Sequence, residues 1–172
     1  MRTRTLLCLV AAGALLGLPA LAEPAHPAPA AAAPAAFDHL KALAGNWQGK
    51  GSDGKTVRVS YEVDGAGSAV VEKLQPEGES AMVTVYHPDG SQVMLTHYCT
   101  LGNQPRMRTT SASGGQQLDF AFVDATNLKA PGDPHMQAVR FNFADADHFS
   151  QTWTMKHGDK EHTMTMSFER AR

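Results

Sequence analysis

The chain has 172 residues and a nearly balanced charge, with 15 lysine and arginine residues against 17 aspartate and glutamate residues. Proteins that bind nucleic acid usually carry a basic patch or stripe, and proteins that lie on membranes often carry a basic amphipathic helix. The sequence shows neither pattern, so composition and charge argue against both classes of partner.

Residues 1–22 are organised like a secretory signal peptide. Arg2 and Arg4 precede an apolar run over residues 6–18, and residues 20–22 supply the small side chains that signal peptidase reads, which predicts cleavage before Glu23. The apolar run is shorter than the roughly 20 residues that a membrane-spanning helix needs. We therefore expect a periplasmic or secreted protein with no stable membrane insertion after cleavage.

The mature chain begins with residues 23–36, which are almost entirely alanine and proline. Such a segment buries too little apolar surface to offset its conformational entropy, so we interpret it as a disordered spacer before one domain over residues 37–172. Cys8 lies in the signal peptide, which leaves Cys99 as the single cysteine of the mature chain. No intramolecular disulfide is therefore expected.

Residues 37–44 have apolar side chains at helical spacing and stop at Gly45, which predicts one short helix. After Gly45 apolar and polar residues alternate, as in half-buried strands. Turn residues separate the predicted strands, which span residues 47–50, 57–63, 68–75, 81–87, 92–99, 106–110, 117–126, 136–144, 148–156 and 161–170. Short turns between consecutive strands predict an all-β fold, an antiparallel up-and-down barrel of about ten strands, with a two-sheet sandwich as the alternative.

The turn at residues 88–90 (Pro-Asp-Gly) determines which side chains of the central hairpin face the barrel interior. If the turn is centred there, Val83 lies opposite Leu95, and both face inward together with His97 and Cys99. The same register predicts an outward orientation for Thr84, Tyr86, Met94, Thr96 and Tyr98.

The last hairpin turns at Gly158 and Asp159 and separates its residues into two distinct faces. One face carries charged and hydroxyl pairs. The other face carries the mainly apolar pairs, which are Phe149 with Phe168, Gln151 with Met166, Trp153 with Met164, and Met155 with His162.

Two stretches resemble a known group of proteins. Residues 45–47 (Gly-Asn-Trp) follow the short helix and match the Gly-x-Trp signature of lipocalins. Residues 96–107 and 122–128 resemble a secreted bacterial family of uncharacterised function. The resemblance implies a lipocalin-like (calycin-type) barrel in which Trp47 closes one end and stacks on an arginine of the last strand, either Arg170 or Arg172.

Residues 96–107 also hold the best candidates for a binding site. An imidazole and a thiol that project from one face of a strand can contact a ligand carbonyl or a metal, and an arginine can bind a carboxylate in a low-dielectric cavity. The sequence therefore predicts a ligand-binding site made by residues of this stretch and by the arginine just after it, which are His97, Tyr98, Cys99, Asn103, Arg106 and Arg108.

A second candidate is the His-x-Met-x-Met series His162, Met164 and Met166. Thioethers and imidazole suit Cu(I), which predicts a metal site, while packing of the barrel interior is the alternative. Asp133 and His135, near a long connection between strands, are a further candidate for metal binding or acid–base chemistry.

The leading hypothesis from these residues is an exported protein that binds an apolar or amphipathic small molecule in the barrel interior. The first alternative is a hydrolase-like or isomerase-like enzyme that uses His97 with Cys99 or Arg106. The second is a periplasmic carrier of copper or another metal, and the third is a structural or interaction module without a ligand. The sequence specifies neither a cofactor nor an oligomeric state.

Overall fold

A computed structural model describes residues 35–110 and 115–172 of the chain. The predicted signal peptide and residues 23–34 of the predicted spacer lie outside the described residues. No helix in the described ranges is long and apolar enough to cross a membrane.

The described chain folds into one short helix followed by a barrel of antiparallel strands. The elements are α1 Ala35–Ala42, β1 Gly45–Gly51, β2 Thr56–Asp64, β3 Ala69–Pro76, β4 Met82–Asp89, β5 Gln92–Tyr98, β6 Gln104–Thr109, β7 Gln117–Thr126, β8 His135–Phe143, β9 His148–His157 and β10 Lys160–Arg170. Each strand pairs with the next, and β1 pairs with β10 to close the barrel. The predicted all-β fold, a barrel of ten antiparallel strands with a short N-terminal helix, is confirmed.

The register of the last hairpin is confirmed as well. Met155 pairs with His162, Trp153 with Met164, and the ladder continues without a shift through ten residue pairs. The clean separation of a polar and an apolar face was sufficient to set this register, because a slip by one residue would exchange the two faces.

The register of the β4–β5 hairpin differs from the prediction. Asp89 pairs with Gln92 across a two-residue turn, where Gly90 has a φ of 61°. A positive φ is easily adopted by glycine, which makes this tighter turn accessible. The pairing is therefore shifted from the one expected for a turn centred on residues 88–90.

The shift exchanges the two faces of β4. Thr84 lies opposite His97 and Tyr86 opposite Leu95, and Thr84 and Tyr86 are buried in the barrel. Val83, predicted to face inward, is on the outer face and half-buried. The inward orientation of His97 on β5 is as predicted.

The two ends of the barrel have different structures. At one end, which we call the closed end, α1 packs against the strands and its leucine and phenylalanine side chains are buried. Trp47 donates its indole N–H to the Leu43 carbonyl at 2.7 Å, and the Arg170 guanidinium lies 4.1 Å from the Trp47 ring centre. The expected stacking of Trp47 on an arginine of the last strand is confirmed, with Arg170 in that role. The other end, which we call the mouth, carries the connections 52–55, 77–81, 99–103, 127–134 and 158–159.

Candidate functional site

A cluster of hydrogen-bonded polar side chains occupies the middle of the barrel. The Tyr86 hydroxyl donates to Glu72 Oε2 at 2.8 Å, and Gln151 Nε2 donates to the same oxygen at 2.7 Å. Gln151 Nε2 also donates to the Tyr61 hydroxyl at 2.7 Å, and Gln151 Oε1 accepts from Trp153 Nε1 at 3.1 Å. The contributing strands are β2, β3, β4 and β9, so the cluster connects different walls of the barrel.

Burial governs the protonation of this cluster. It raises the pKa of the Glu72 carboxyl, against the effect of the hydrogen bonds that Glu72 accepts. Burial beside Glu72 also raises the pKa of Tyr61 and Tyr86, so both hydroxyls stay protonated at neutral pH. Within residues 35–110 and 115–172, Glu72 Oε1 has no hydrogen-bond partner. One carboxyl oxygen of the cluster is thus unsatisfied.

His97 lies beside the cluster on β5 and is 1% exposed. Its Nδ1 is 2.9 Å from Thr84 Oγ1, and its ring centre is 4.6 Å from that of Trp153. Its Nε2 is buried and has no hydrogen-bond partner among the residues described. Burial lowers the pKa of His97 to about 4, so the imidazole is neutral at neutral pH. It therefore offers one free ring nitrogen to a polar partner.

Methionines lie on the inner face of β8, β9 and β10 near the mouth. Met136 on β8 pairs with Met155 on β9, which in turn pairs with His162 on β10. Met164 pairs with Trp153 one step deeper in the barrel. Met136 and Met155 are half-buried, Met164 is 36% exposed and His162 is exposed. His97 and Trp153 form the floor of the mouth, and these methionines form part of its wall.

Below this floor the barrel is filled by side chains. Trp47, Tyr86, Phe120, Phe141 and Met166 are each at most 2% exposed. Tight packing of this kind leaves few voids larger than a water molecule. Side chains therefore fill the barrel below this floor, and the more exposed inner side chains, such as Met164, lie at the mouth.

The structure places Cys99 on the inner face and Asn103 in the loop that follows. Burial raises the pKa of the Cys99 thiol, which is 8% exposed, while His97 is neutral. A reactive cysteine needs a thiolate that a neighbouring cation stabilises, and these two groups do not provide one. Asn103 donates from Nδ2 to the Pro134 carbonyl at 2.9 Å, so its amide joins two mouth loops. Asn103 Oδ1 has no partner in the described part of the chain.

The structure does not bring the other three predicted ligand-binding residues together with His97. Tyr98 follows His97 on the strand, points to the opposite face and is 51% exposed. Arg106 forms a bidentate ion pair with Asp124 on the outer surface, with Nε 2.6 Å from Oδ1. Arg108 forms an outer ion pair with Asp89, 2.7 Å between Nη2 and Oδ2. Strand alternation turns all three side chains outward, as the sequence predicted for Tyr98, so none of them lies beside His97 in the barrel.

The three residues of the predicted metal series lie at different depths in the barrel. Met166 is 1% exposed and pairs with Gln151, whereas Met164 and His162 lie in the mouth. In the candidate pair Asp133 and His135, the imidazole makes local hydrogen bonds. His135 uses both ring nitrogens, at 2.8 Å from the Asp133 carbonyl and at 3.0 Å from Gln137 Oε1.

The central polar cluster was not predicted from the sequence. Glu72 and Gln151 are fully buried, yet each occupies a position where alternation alone predicts an apolar side chain. Glu72 did carry a signal, since it lies between Val70 and Leu74 in the same alternating series. A charged residue at an inward position is rarely buried unless it is paired, so it marks a polar site.

Fold and site together define the class of this protein, a closed ten-stranded antiparallel barrel with one plugged end and a methionine-lined mouth. No family model matches the chain, and no curated protein is significantly similar to it in sequence. The chain is similar to the crystal structure of Rv2717c from M. tuberculosis, with a TM-score of 0.57 and 16% identity over 80% of this chain and 98% of that chain.

A second similar structure is a protein of unknown function from the DUF3598 family of Nostoc punctiforme. Its TM-score is 0.53 at 13% identity, and the match covers 77% of this chain and 49% of that chain. This chain therefore spans about half the length of that protein. At these identities, the similarity to both structures shows the fold alone.

Proposed function

We propose that this protein binds a small apolar or amphipathic molecule at the mouth of its barrel. The observation that carries the proposal is Nε2 of His97, which is buried at the floor of the mouth and has no hydrogen-bond partner in the described ranges. A buried polar atom without a partner is unfavourable by about 1–3 kcal/mol. A ligand that bonds to this nitrogen would relieve part of that penalty.

The surroundings of His97 suit an apolar body. The Trp153 ring and the side chains of Met155 and Met164 lie on the same inner face. Methionine is flexible and polarizable, so it adapts to ligands of irregular shape. Because His97 Nε2 is itself covered, binding requires side chains at the mouth to move aside. An amphipathic ligand would then place its polar group on His97 and its apolar part among the methionines.

We also propose that the protein is exported. The support is the order of features in residues 1–22, a positive start, an apolar run and small residues before Glu23. Expression of the full chain in a bacterium should yield a periplasmic protein whose intact mass corresponds to a chain beginning at Glu23. Recovery of the uncleaved chain from the cytoplasm would contradict export.

The binding proposal is tested with the mature protein purified from the periplasm in the presence of a metal chelator. Native mass spectrometry should show a mass above that of the denatured chain. As a defined probe we choose N-phenyl-1-naphthylamine, whose amine can donate to His97 Nε2 and whose rings are apolar. Saturable binding of this probe is expected.

Two variants locate the binding site. His97→Phe keeps an aromatic ring against Trp153 but removes the ring nitrogen. It should lower the affinity for the probe about fivefold, as expected for the loss of one hydrogen bond. His87→Phe, an exposed position near the turn at the other end of the barrel, serves as the matched control and should bind like the wild type. The proposal fails if no adduct and no saturable binding of the probe are found. It also fails if both variants lower the affinity for the probe equally.

A further inference from the structure

We propose that the mouth of the barrel also holds a soft metal ion, Cu(I), between Met155, His162 and Met164, with Met136 at its side. This inference goes beyond binding of an organic molecule. It uses side chains on the wall of the mouth, whereas the proposed small-molecule contact is His97 on the floor. The two proposals can therefore fail independently.

Strand register places these side chains on one face. The β9–β10 ladder runs without a shift from Lys160 to Glu169, so side chains alternate strictly between the two faces. Met166 is 1% and Phe168 3% exposed, which identifies their face as the inner one, and Met164 and His162 share it.

The same ladder brings the donors within reach of one ion. Met155 is directly opposite His162, and Met164 is its diagonal neighbour. Directly opposed residues have Cβ atoms about 4.5–5.5 Å apart and diagonal ones about 7–8 Å apart. Methionine side chains are long and have three rotatable bonds, so their sulfur atoms can converge with an imidazole nitrogen on a single ion.

The donors are accessible because β1 is shorter than β10. The last residue of β1, Gly51, lies opposite Met166, so the ladder between these strands ends before Met164 and His162. The imidazole of His162 makes no hydrogen bond to the residues that the structure describes, in contrast to His135, which uses both ring nitrogens. The thioethers of Met155 and Met164 and the imidazole of His162 are thus free to bind a cation.

The chemistry of this donor set selects the metal. Zn²⁺ is held by cysteine, histidine and carboxylate ligands. Across residues 35–110 and 115–172, no group of three or more histidine, cysteine, aspartate or glutamate side chains is placed to hold a metal ion. Thioether ligands with one imidazole are instead typical of sites for Cu(I), the soft monovalent ion.

The residues on either side of these metal donors show where the proposed site ends. One step deeper, Met166 is buried beside Gln151 and cannot reach the mouth without unpacking the core. One step further out, His157 lies opposite Lys160, whose ammonium group repels a cation. The site therefore differs from the series that the sequence suggested, because Met155 takes the place of Met166.

The test is a competition for Cu(I) between the mature protein and the chromophoric chelator bicinchoninate, with ascorbate as reductant and without any organic ligand. The wild type should withdraw one equivalent of Cu(I). The double variant Met155→Leu with Met164→Leu should bind at least about tenfold more weakly, a change of roughly 1.4 kcal/mol in binding free energy. His162→Ala should have an effect of similar size.

Matched controls come from the two bounding residues. Met166→Leu and His157→Ala should leave the affinity for Cu(I) within about threefold of the wild type. The proposal is overturned if the wild type takes no Cu(I) from the chelator, if the double variant retains wild-type affinity, or if the controls lose as much affinity as the site variants. Circular dichroism confirms that each variant is folded, and the exposed positions of Met164 and His162 make unfolding by these changes unexpected.

Discussion

The two ends of the barrel are built from the same strands but have opposite character. At the closed end, the Trp47 indole N–H and the Arg170 guanidinium both have hydrogen-bond partners. Arg170 donates to the Ala44 carbonyl at 3.0 Å and to the Ala146 carbonyl at 3.1 Å, and it covers the Trp47 ring. Phe149 packs edge-on against Trp47, with 4.8 Å between ring centres. Such an arrangement contributes stability through burial, stacking and satisfied hydrogen bonds.

The side chains at the mouth are less completely buried and hydrogen-bonded than those at the closed end. His97 Nε2 is buried without a partner in the described structure, and Met164 is 36% exposed although it lies on the inner face. A position that served stability alone would be apolar and covered. The difference between the ends indicates that the closed end holds the barrel together, and the less completely packed mouth is the end at which we propose binding. Groups that do not contribute to stability are typical of functional sites.

The largest expected effect is at the closed end. Trp47→Ala should lower the free energy of unfolding by about 3–5 kcal/mol, because it removes a large buried side chain and leaves a cavity. It also removes the bond to the Leu43 carbonyl and the surface on which Arg170 stacks. Denaturation by urea measures the change. In the mouth, Met164→Ala should cost less than about 1 kcal/mol, and equal losses for the two variants would remove the distinction between the ends.

The second effect depends on pH and belongs to the floor of the mouth. The pKa of His97 is lowered to about 4 in the folded protein, whereas an unfolded histidine titrates near 6.5. Between these values the unfolded chain binds the proton and the folded chain does not, so stability falls as the pH decreases from 6.5 towards 4. The full difference amounts to about 3 kcal/mol.

The variant His97→Gln isolates this contribution, because glutamine does not titrate and can still bond to Thr84. Its unfolding free energy should decrease less between pH 7 and 4 than that of the wild type. Glu72 acts in the opposite sense, since its raised pKa gives stability that is present at low pH and lost as the pH rises. Because Glu72 is present in both proteins, it cancels in the comparison. Identical pH profiles would show that His97 is not held neutral by burial.

The strands of the barrel were predicted from the sequence better than the side chains that fill its interior, and the reason is physical. In β9 and β10 the apolar residues alternate with threonines and charges, so one register satisfies both faces. In β4 the inner face carries Thr84 and Tyr86 and the outer face carries Val83, which reverses the usual pattern. Alternation assigns the more apolar face to the core, and it fails where hydrogen bonds between distant strands make polar burial favourable.

The predicted site shows the same limit. His97 was found because it stands among apolar inward residues of β5. Arg106 was placed with it on sequence proximity, yet Arg106 is opposite Thr96 on the outer face and pairs with Asp124. The bond between Glu72 and Gln151 joins residues 79 positions apart, and no local pattern specifies such a contact.

A smaller loss of stability is expected when Arg170 at the closed end is replaced. Arg170→Lys should lower the unfolding free energy by about 1–2 kcal/mol, because lysine lacks the planar group that covers Trp47 and donates to several carbonyls at once. Arg172→Lys is the matched control, since Arg172 is exposed at the end of the chain and should change stability by less than about 0.5 kcal/mol. Equal effects of the two substitutions would mean that Arg170 does not close this end.

The smallest effect on stability, and the most direct probe of the mouth, is the oxidation of methionine. Dilute hydrogen peroxide converts exposed methionines to sulfoxides, and peptide mass spectrometry gives the order in which they react. Met164, at 36% exposure, should react first and Met155 next, before Met166 and Met107, which are at most 1% exposed. Early oxidation of Met164 should leave the thermal unfolding temperature nearly unchanged, because its side chain adds little to the core. If Met166 reacted together with Met164, the floor beneath the mouth would be open, and the accessible inner surface would extend into the barrel.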